Sequence, residues 1–254
     1  MKVTFLGTGT SQGVPFIGCE EPVCLSIDFR DKRLRSSIMI EVDGQNIVVD
    51  TGPDFRQQML REHVKKLDAV LFTHHHKDHV AGLDDIRPFY FRQKNDIPVF
   101  ANQEVIKHLK MEYSYMFAEN KYPGIASVNI KEISAEEEFY VGETKVTPIE
   151  VMHYKLPVLG FRIKDFTYIT DAKTISEKEM EKIKGTKVLV LNALQPQSHI
   201  SHLTLDEALA IVEQIQPEKA FFTHISYRMG FHEEMCKSLP EHINLAYDGL
   251  KLKI

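Results

Sequence analysis

Runs of alternating apolar and polar residues dominate the first third of the chain. The opening "KVTFLGTG" predicts a strand that leads into a glycine-rich loop, and "SIMIEVDGQNIVVD" predicts a β-hairpin. Asp43-Gly44 lies between the two halves of this hairpin and suits the positive φ angles of a tight turn. Residues 53–64 have helical periodicity, and the apolar run "LDAVLFT" predicts a buried strand.

The pattern then changes from mixed elements to short strands in succession. "IPVFAN" predicts a strand and "QEVIKHLKMEYSYMF" predicts a helix. Between about residues 128 and 170, "TKVTPIEV", "VLGFRIK" and "FTYIT" follow one another as short apolar runs, which predicts a meander.

Helices and strands alternate again towards the end of the chain. Capping boxes at Ser176-x-x-Glu179 and Thr204-x-x-Glu207 each predict the start of a helix, with strands at "KVLVLNA" and "KAFFT". A last helix is predicted over residues 231–239, and a terminal hairpin is predicted through the turn dipeptide in "YDGLKL".

The two halves of the chain share a pattern in which one strand ends at an acid and a later strand ends at Thr-His. "IVVDTGPD" precedes "AVLFTH" in the first half, and "TYITDAKT" precedes "AFFTH" in the second. A duplicated unit of this kind predicts an α/β fold, a four-layer αββα sandwich with two mixed β-sheets face to face and helices on both outer sides. No low-complexity linker interrupts residues 1–254, so a single domain is expected.

Composition narrows the class of protein and of partner. With 43% hydrophobic and 26% charged residues in 254, the chain is typical of globular proteins. A net charge of −5 argues against a broad nucleic-acid surface but is compatible with a local basic patch. No apolar run is long enough to cross a bilayer and the opening lacks the pattern of a signal peptide, so the cytoplasm is expected. The odd cysteine count, Cys19, Cys24 and Cys236, does not indicate a disulfide framework.

The stretch "FTHHHKDH", residues 72–79, concentrates candidate metal ligands at the end of a predicted strand. In an extended segment His74 and His76 point to one side and His75 to the other. Asp78 and His79 follow at the first turn of a helix, where they could return to the same edge. A solvated histidine loop is the alternative, but this spacing favours half of the ligands for two ions.

Three more candidates lie where other strands end: His153, Asp171 and His224. Taken singly, such a residue is more often structural than ligating. The order H-x-H-x-D-H, then His, Asp and His, resembles the metallo-β-lactamase superfamily, and the resemblance extends over nearly the whole chain.

This resemblance implies a binuclear site with two divalent ions, zinc or manganese and with iron also compatible. It assigns His74, His76 and His153 to one ion, Asp78, His79 and His224 to the other, and Asp171 to both. A hydroxide held between the ions would be the nucleophile, so Asp78 and Asp171 count as catalytic as well as ligating. Asp50 matches an acid that orients the ligands without binding metal.

Four further stretches resemble the phosphoribosyl cyclic phosphodiesterase branch: "GTGTSQGVPFIGC", "RDKRLRSS", "VDTGPDFRQQML" and "HISHLTLDEAL". This branch is related to the tRNA 3′-processing endonucleases and to the pyrroloquinoline quinone biosynthesis B protein. The resemblance implies hydrolysis of a small, even cyclic, phosphodiester. It makes His202 the donor of a proton to the leaving oxygen. His199 could substitute, and a helix N-terminal role is the alternative for His202.

The chain departs from its branch at a structural zinc loop. Relatives carry "GCxCxxC" and a downstream histidine, whereas this chain has "GCEEPVC", with Glu21 at the middle cysteine and Tyr227 at the histidine. Cys19, Glu21 and Cys24, with His232 as a fourth ligand, would form a degraded zinc site. A full site is not expected, and packing is the alternative.

Other readings stay open at the level of sequence. The same ligands serve thioester hydrolases of the glyoxalase type and metal-bound accessory proteins such as the pyrroloquinoline quinone biosynthesis B protein. The basic run "RDKRLR" either is solvated or contacts a substrate phosphate. His63, His75, His108 and His242 are assigned to the surface. The expected partner is a small phosphodiester and no membrane is expected. Nucleic acid is disfavoured but stays open as a partner, and an exposed sheet edge would allow a homodimer.

Overall fold

Two β-sheets pack face to face in the structure, a computed structural model that describes residues 1–118, 120 and 122–254. The first sheet has seven strands in the order β15-β1-β2-β3-β4-β5-β6. These are β1 (Lys2–Gly7), β2 (Ser37–Val42), β3 (Gln45–Val49), β4 (Ala69–Leu71), β5 (Ile97–Ala101), β6 (Val128–Glu132) and β15 (Lys251–Lys253).

The second sheet has the order β11-β8-β9-β10-β12-β13-β14, with one further strand, β7, paired to β8. Its strands are β7 (Phe139–Val141), β8 (Thr144–His153), β9 (Leu156–Ile163), β10 (Phe166–Ile169), β11 (Thr174–Ile175), β12 (Val188–Asn192), β13 (Lys219–Thr223) and β14 (Ile243–Leu245).

Most of the helices pack on the outer faces of the two sheets, whereas α1 belongs to a small separate cluster and α3 carries Asp78 and His79. The described residues form α1 (Pro22–Leu25), α2 (Phe55–Arg61), α3 (Lys77–Val80), α4 (Arg87–Gln93), α5 (Gln103–Glu112), α6 (Ser114–Phe117), α7 (Glu177–Ile183), α8 (Leu205–Ile215) and α9 (His232–Ser238). Within these described ranges, every helix is too short or too polar to traverse a lipid bilayer.

Side-chain alternation along the strands divides the apolar residues among three cores. In β3, Val49 points into the core between the sheets, whereas Val48 points outward to the core shared with α2, α4 and α5. The third core lies between the second sheet and α7, α8 and α9. The predicted four-layer αββα arrangement of two mixed sheets is therefore confirmed.

The repeated sequence pattern corresponds to a repeated topology. In each sheet three antiparallel strands lead into parallel strands: β1-β2-β3 precede β4, β5 and β6, and β8-β9-β10 precede β12, β13 and β14. β3 and β10, which precede Asp50 and Asp171, occupy equivalent positions. The Thr-His pairs do not, because β4 adjoins β3 whereas β13 is separated from β10 by β12.

The local predictions near turns and caps hold in most cases. Asp43 and Gly44 have φ angles of 48° and 77° between the paired strands β2 and β3. Thr204 and Glu207 form the reciprocal capping box at α8. At α7, Ser176 accepts the amide of Glu179, but the Glu179 carboxylate accepts the Glu150 amide instead of closing the box.

Two predictions of strand pairing are wrong. β6 was expected within the meander but pairs with β5 in the first sheet. The expected terminal hairpin does not form, because β14 pairs with β13 in the second sheet and β15 pairs with β1 in the first. The turn dipeptide Asp248-Gly249 therefore carries the chain from one sheet to the other.

Candidate metal centre

Strands of both sheets end at one edge and bring polar residues together there. Asp50 directly follows β3, and His224 directly follows β13. Two residues separate the end of β4 from His74, and one residue separates the end of β10 from Asp171. His153 is the last residue of β8. Three of them have left-handed backbone conformations, with φ angles of 64° at Asp50, 59° at Asp171 and 55° at His224. Such conformations are uncommon for residues other than glycine and turn the side chains away from the strand direction.

One group of histidines unites the loop after β4 with the end of β8. The ring centroids of His74 and His76 are 4.6 Å apart, and those of His76 and His153 are 5.2 Å apart. His74 and His153 are separated by 5.9 Å. The three histidines that the family resemblance assigns to one ion are therefore neighbours.

The second predicted group also converges, with Asp171 at its centre. His79 Nε2 lies 3.1 Å from an Asp78 carboxylate oxygen and 3.3 Å from Asp171 Oδ2. His224 Nε2 is 3.3 Å from Asp171 Oδ1. Asp78, His79 and His224 offer ligand atoms that are all within 4.8 Å of one another, as do His74, His79 and Asp171. Asp171 thus lies between the two histidine groups.

Asp50 lies behind the ligands and contacts them through hydrogen bonds. It is fully buried, and it accepts the backbone amide of Thr73 at 2.9 Å and the Thr73 hydroxyl at 2.8 Å. Its Oδ2 is also 2.7 Å from His79 Nδ1. In the neutral form of His79 that can bind a metal, Nδ1 donates to this carboxylate and the lone pair is on Nε2, which faces Asp78 and Asp171.

The same reasoning fixes the ligand nitrogen of two other histidines. The Thr73 hydroxyl already donates to Asp50, so at 3.0 Å from His74 Nδ1 it accepts, and the lone pair of His74 is on Nε2. His153 Nδ1 donates to the Ser201 carbonyl at 2.8 Å, which leaves its Nε2 free.

Unpaired buried nitrogen atoms indicate that the centre is built for cations. Among the described residues, His74 Nε2, His202 Nδ1 and His224 Nδ1 are buried without a hydrogen-bond partner, and buried His79 Nε2 faces the Asp78 and Asp171 carboxylates. Leaving such atoms unpaired is costly, and buried polar groups are normally satisfied. Imidazole nitrogens and carboxylate oxygens around a shared acid are the donor set that divalent transition metals take, so the residues present fit the metal.

Electrostatics within the group hold the acids charged. Burial by itself lowers the pKa of His79, but the carboxylates of Asp78 and Asp171 raise it well above the usual value. Burial raises the pKa of Asp171, yet His224 and His79 lower it well below the usual range. Burial likewise raises the pKa of Asp78, but His79 lowers it below the usual value, so both acids are available as anionic ligands near neutral pH.

His202 lies directly against this group. Its ring centroid is 4.5 Å from that of His153 and 4.8 Å from that of His224, and its Nδ1 is 3.8 Å from Asp171 Oδ1. Burial, followed by the proximity of His224, lowers the pKa of His202 to about 3. His199 lies farther out, with its ring 5.0 Å from that of His202.

Several contributing residues carried no signal in the sequence. Asn192, at the end of β12, accepts the Ala172 amide at 2.7 Å and donates to the Ala172 carbonyl at 3.0 Å, which fixes the turn next to Asp171. Thr10 of the glycine-rich loop is 3.3 Å from His224 Nε2. Only the fold brings these segments to the centre, so spacing along the chain could not identify them.

The degraded zinc site is contradicted. Cys19 and Cys24 form a disulfide, with Cα atoms 6.0 Å apart, so neither sulfur is available as a thiolate ligand. The cysteine count did not indicate a disulfide framework, and one disulfide forms, between two cysteines that flank the start of α1. Tyr227 packs with Cys19 and Cys24 in a small apolar cluster, and Glu21 is exposed. Apolar packing and the disulfide therefore replace metal ligands at this loop.

His232 is not a fourth ligand there. It is 4% exposed, and its Nδ1 lies 3.3 Å from the Arg33 guanidinium. Its Nε2 is 3.6 Å from the free thiol of Cys236. Both ring nitrogens therefore have partners within the protein.

Most of the basic run serves the fold. Arg30 pairs with Asp28, Lys32 donates to the Cys24 carbonyl, and buried Arg33 donates to the Ala246 carbonyl. Arg35 is nearer to the metal centre, because its Cβ and the Asp78 carbonyl both lie close to Gly52. Its Nε is 3.1 Å from Asp54.

Comparison with known proteins agrees with this geometry. The family described as "Beta-lactamase superfamily domain" matches residues 45–225. The crystal structure of a new diphosphatase from the PhnP family has a TM-score of 0.93 and 39% sequence identity, and the match covers 100% of this chain and 97% of that one. Zn²⁺-bound PqqB from Methylobacterium extorquens shares the fold, with a TM-score of 0.82, 19% identity and full coverage of both chains.

One curated relative is a longer protein than this chain. The octanoyltransferase of Porphyromonas gingivalis is 39% identical over 253 residues, which are 99% of this chain and 51% of that protein. This chain thus spans about half the length of that relative. The family match and the ligand geometry together support a metal-dependent hydrolase. The chain belongs to the beta-lactamase superfamily, in its PhnP-like branch.

Proposed function

We propose that this protein hydrolyses a small phosphodiester with the help of two divalent ions. The observation that carries the proposal is the position of Asp171 between two groups of histidines, where the ligand atoms of His74, His79 and Asp171 all lie within 4.8 Å of one another. In this proposal His74, His76 and His153 hold one ion, and Asp78, His79 and His224 hold the other. Asp171 contributes to both, and zinc, manganese or iron suits the donors.

Bound ions of this kind polarise phosphoryl oxygens and lower the pKa of a water molecule. The side chains of the protein supply position and charge. Asp50 keeps His79 in one tautomer, and Ser201 does the same for His153. The anionic acids Asp78 and Asp171 offset the charge of two neighbouring cations.

His202 is the proposed donor of a proton to the leaving oxygen. In the free protein its low pKa keeps the ring neutral at pH 7. A phosphate anion beside the ring would stabilise the imidazolium form and raise that pKa, so the substrate itself would charge the acid. Proton donation from a positioned side chain contributes roughly 10²- to 10⁴-fold to a rate.

The proposal is tested with two diesters of one phosphate, bis(nitrophenyl) phosphate and diphenyl phosphate. Protein loaded with zinc or manganese is expected to cleave both. His202→Ala is expected to lower kcat by about 10²-fold or more for diphenyl phosphate and much less for the nitrophenyl ester, whose leaving group needs no proton.

Elemental analysis should find the same metal content in His202→Ala as in wild type, and His242→Ala serves as a surface control. Equal losses on both esters, or a loss of metal, would make His202 a ligand instead of an acid. No turnover with zinc, manganese, iron or cobalt would refute the proposed reaction.

Thioester hydrolysis is the second candidate, favoured by the match to an octanoyltransferase over half of that protein's length. The same ligand set could serve it. An octanoyl thioester and lactoylglutathione assayed beside the diesters would distinguish the two reactions. Tight metal binding without turnover of any ester would favour an accessory role like that suggested by the likeness to PqqB.

A further inference from the structure

Beside the metal centre lies a second group of metal-ligating side chains, formed by His75 and by Glu104 and His108 of α5. His75 lies in the loop between β4 and α3, residues 72–76, which we call the histidine loop. The ligand atoms of the three residues all lie within 4.8 Å of one another. In the described part of the chain, every other such group includes His79 or Asp171, so this one is separate from the centre. His75 and His108 are both partly exposed, and their rings contact each other.

The helix presents two of these ligands in a suitable way. Glu104 and His108 are four residues apart on α5, so their side chains lie on one face. His108 Nδ1 is 2.9 Å from the Glu104 carbonyl oxygen, to which it donates. The lone pair of His108 is therefore on Nε2, at the outer end of the ring, where a cation could reach it.

The loop supplies the third ligand. The rings of His75 and His108 are stacked, with centroids 3.9 Å apart and planes within 8° of parallel. Tetrahedral ions bind imidazole nitrogen at about 2.0–2.1 Å, which places neighbouring ligand atoms roughly 3.3 Å apart. The present group would have to close by about 1.5 Å at most. Rotation of side chains can provide this, because Glu104 is exposed and both rings are partly so.

We propose that His75, Glu104 and His108 form a third cation site, of the class that binds Zn²⁺, Ni²⁺ or Cu²⁺. Two imidazoles and one carboxylate favour these ions over Mg²⁺ or Ca²⁺, which prefer oxygen ligands. A cation there would join the histidine loop to α5. An ion pair at 2.5 Å between Lys77, at the start of α3, and Glu112, at the end of α5, already holds the end of this loop near α5. The proposal is independent of the reaction, because it uses none of the residues of the metal centre.

The site can be tested by calorimetric titration of the protein, with its resident metal retained, in separate experiments with Ni²⁺ and with Mn²⁺. Wild type is expected to take up one additional equivalent per chain, and more tightly from Ni²⁺ than from Mn²⁺. His108→Ala and Glu104→Gln are expected to weaken this step at least about tenfold, because each removes a ligand atom. Both substitutions lie on α5 and leave the histidine loop unchanged.

Matched measurements separate this site from the metal centre. His242→Ala, at an exposed histidine elsewhere, should titrate like wild type. Elemental analysis before and after the titration should show the resident metal unchanged in every variant. The proposal is overturned if wild type takes up no additional Ni²⁺, or if the additional equivalent persists undiminished in both His108→Ala and Glu104→Gln.

Discussion

At the scale of single residues, the metal centre depends on strained backbone at Asp50, Asp171 and His224. Each follows a strand and has a positive φ angle, a conformation that costs of order 1–3 kcal/mol for a residue other than glycine. Neighbouring hydrogen bonds, such as those of Thr73 to Asp50, hold one such residue in place. The strain directs side chains of two sheets towards the same point.

Asp50 provides a prediction about metal affinity. Asp50→Asn replaces an acceptor by a donor opposite the Thr73 hydroxyl and His79 Nδ1, so the tautomer of His79 is no longer fixed. Loss of such an orienting partner typically lowers metal affinity 10- to 100-fold, and we expect a loss of about that size. Competition with a chromogenic chelator measures it.

The control for this experiment is Asp68→Asn. Asp68 also accepts a backbone amide, that of Asn46 at 2.8 Å, but it lies at the opposite end of β4 from the histidine loop. Its variant should bind metal like wild type. Unchanged affinity in a folded Asp50→Asn would contradict the role of Asp50.

His232 provides a prediction about pH. Burial, followed by the charges of Arg33 and Arg30, lowers its pKa to about 4 from the ordinary 6.5. Between these two values the unfolded chain binds the proton more readily, so stability falls as the pH falls. From pH 7 to pH 5 this residue should remove about 2 kcal/mol from the free energy of unfolding.

Urea denaturation of wild type and His232→Gln at both pH values isolates this effect, because contributions from other histidines cancel in the difference. The variant should lose about 2 kcal/mol less than wild type between pH 7 and pH 5. The same loss in both proteins would show that His232 is not held neutral by the fold.

At the scale of elements, local chemistry specified much of the structure. Asp43-Gly44 adopts the positive φ angles of the predicted hairpin turn, and the Thr204 capping box begins α8. Pairing was less predictable. The segment "SVNIKE" is predicted as another strand of the meander, but β6 pairs with β5 of the first sheet. Strand pairing depends on which face each strand buries in the complete sheet, which the adjacent sequence does not specify.

The capping box of α8 gives a prediction about stability. Thr204 accepts the Glu207 amide at 3.2 Å, and Glu207 accepts the Thr204 amide at 2.8 Å. Thr204→Ala removes the first bond and should lower the free energy of unfolding by about 1 kcal/mol. Ser198→Ala, at an exposed position in the preceding loop, should have almost no effect. Equal urea midpoints for the two variants would contradict this account.

At the scale of the whole molecule, the last strand links the end of the chain to its beginning. β15 pairs with β1 in the register Lys2↔Lys253, and the Met1 amino group donates to the Ile254 carbonyl at 2.9 Å. Leu250, Leu252 and Ile254 pack against the core between the sheets. The terminal segment therefore covers the edge of β1 and one side of the core between the sheets.

Removal of residues 250–254 tests this closure. Three partly buried apolar side chains at roughly 1 kcal/mol each should lower the free energy of unfolding by about 3 kcal/mol. The newly exposed edge of β1 should also promote association, which light scattering would detect. Lys253→Ala, an exposed position in the same strand, is the control. A truncated protein as stable and monodisperse as this control would contradict the prediction.

The sequence by itself determined the periodicities of strands and helices, the turn and cap chemistry, and the residues able to bind metal. These features are local, because dihedral preferences and spacing within "THHHKDH" act over a few positions. Tertiary structure decided the rest. It sent β14 and β15 to different sheets, joined Cys19 to Cys24, and stacked His75 on His108. Some of these contacts join segments that are far apart in the sequence, and others depend on the direction of a side chain. Both are fixed only when the complete sandwich packs.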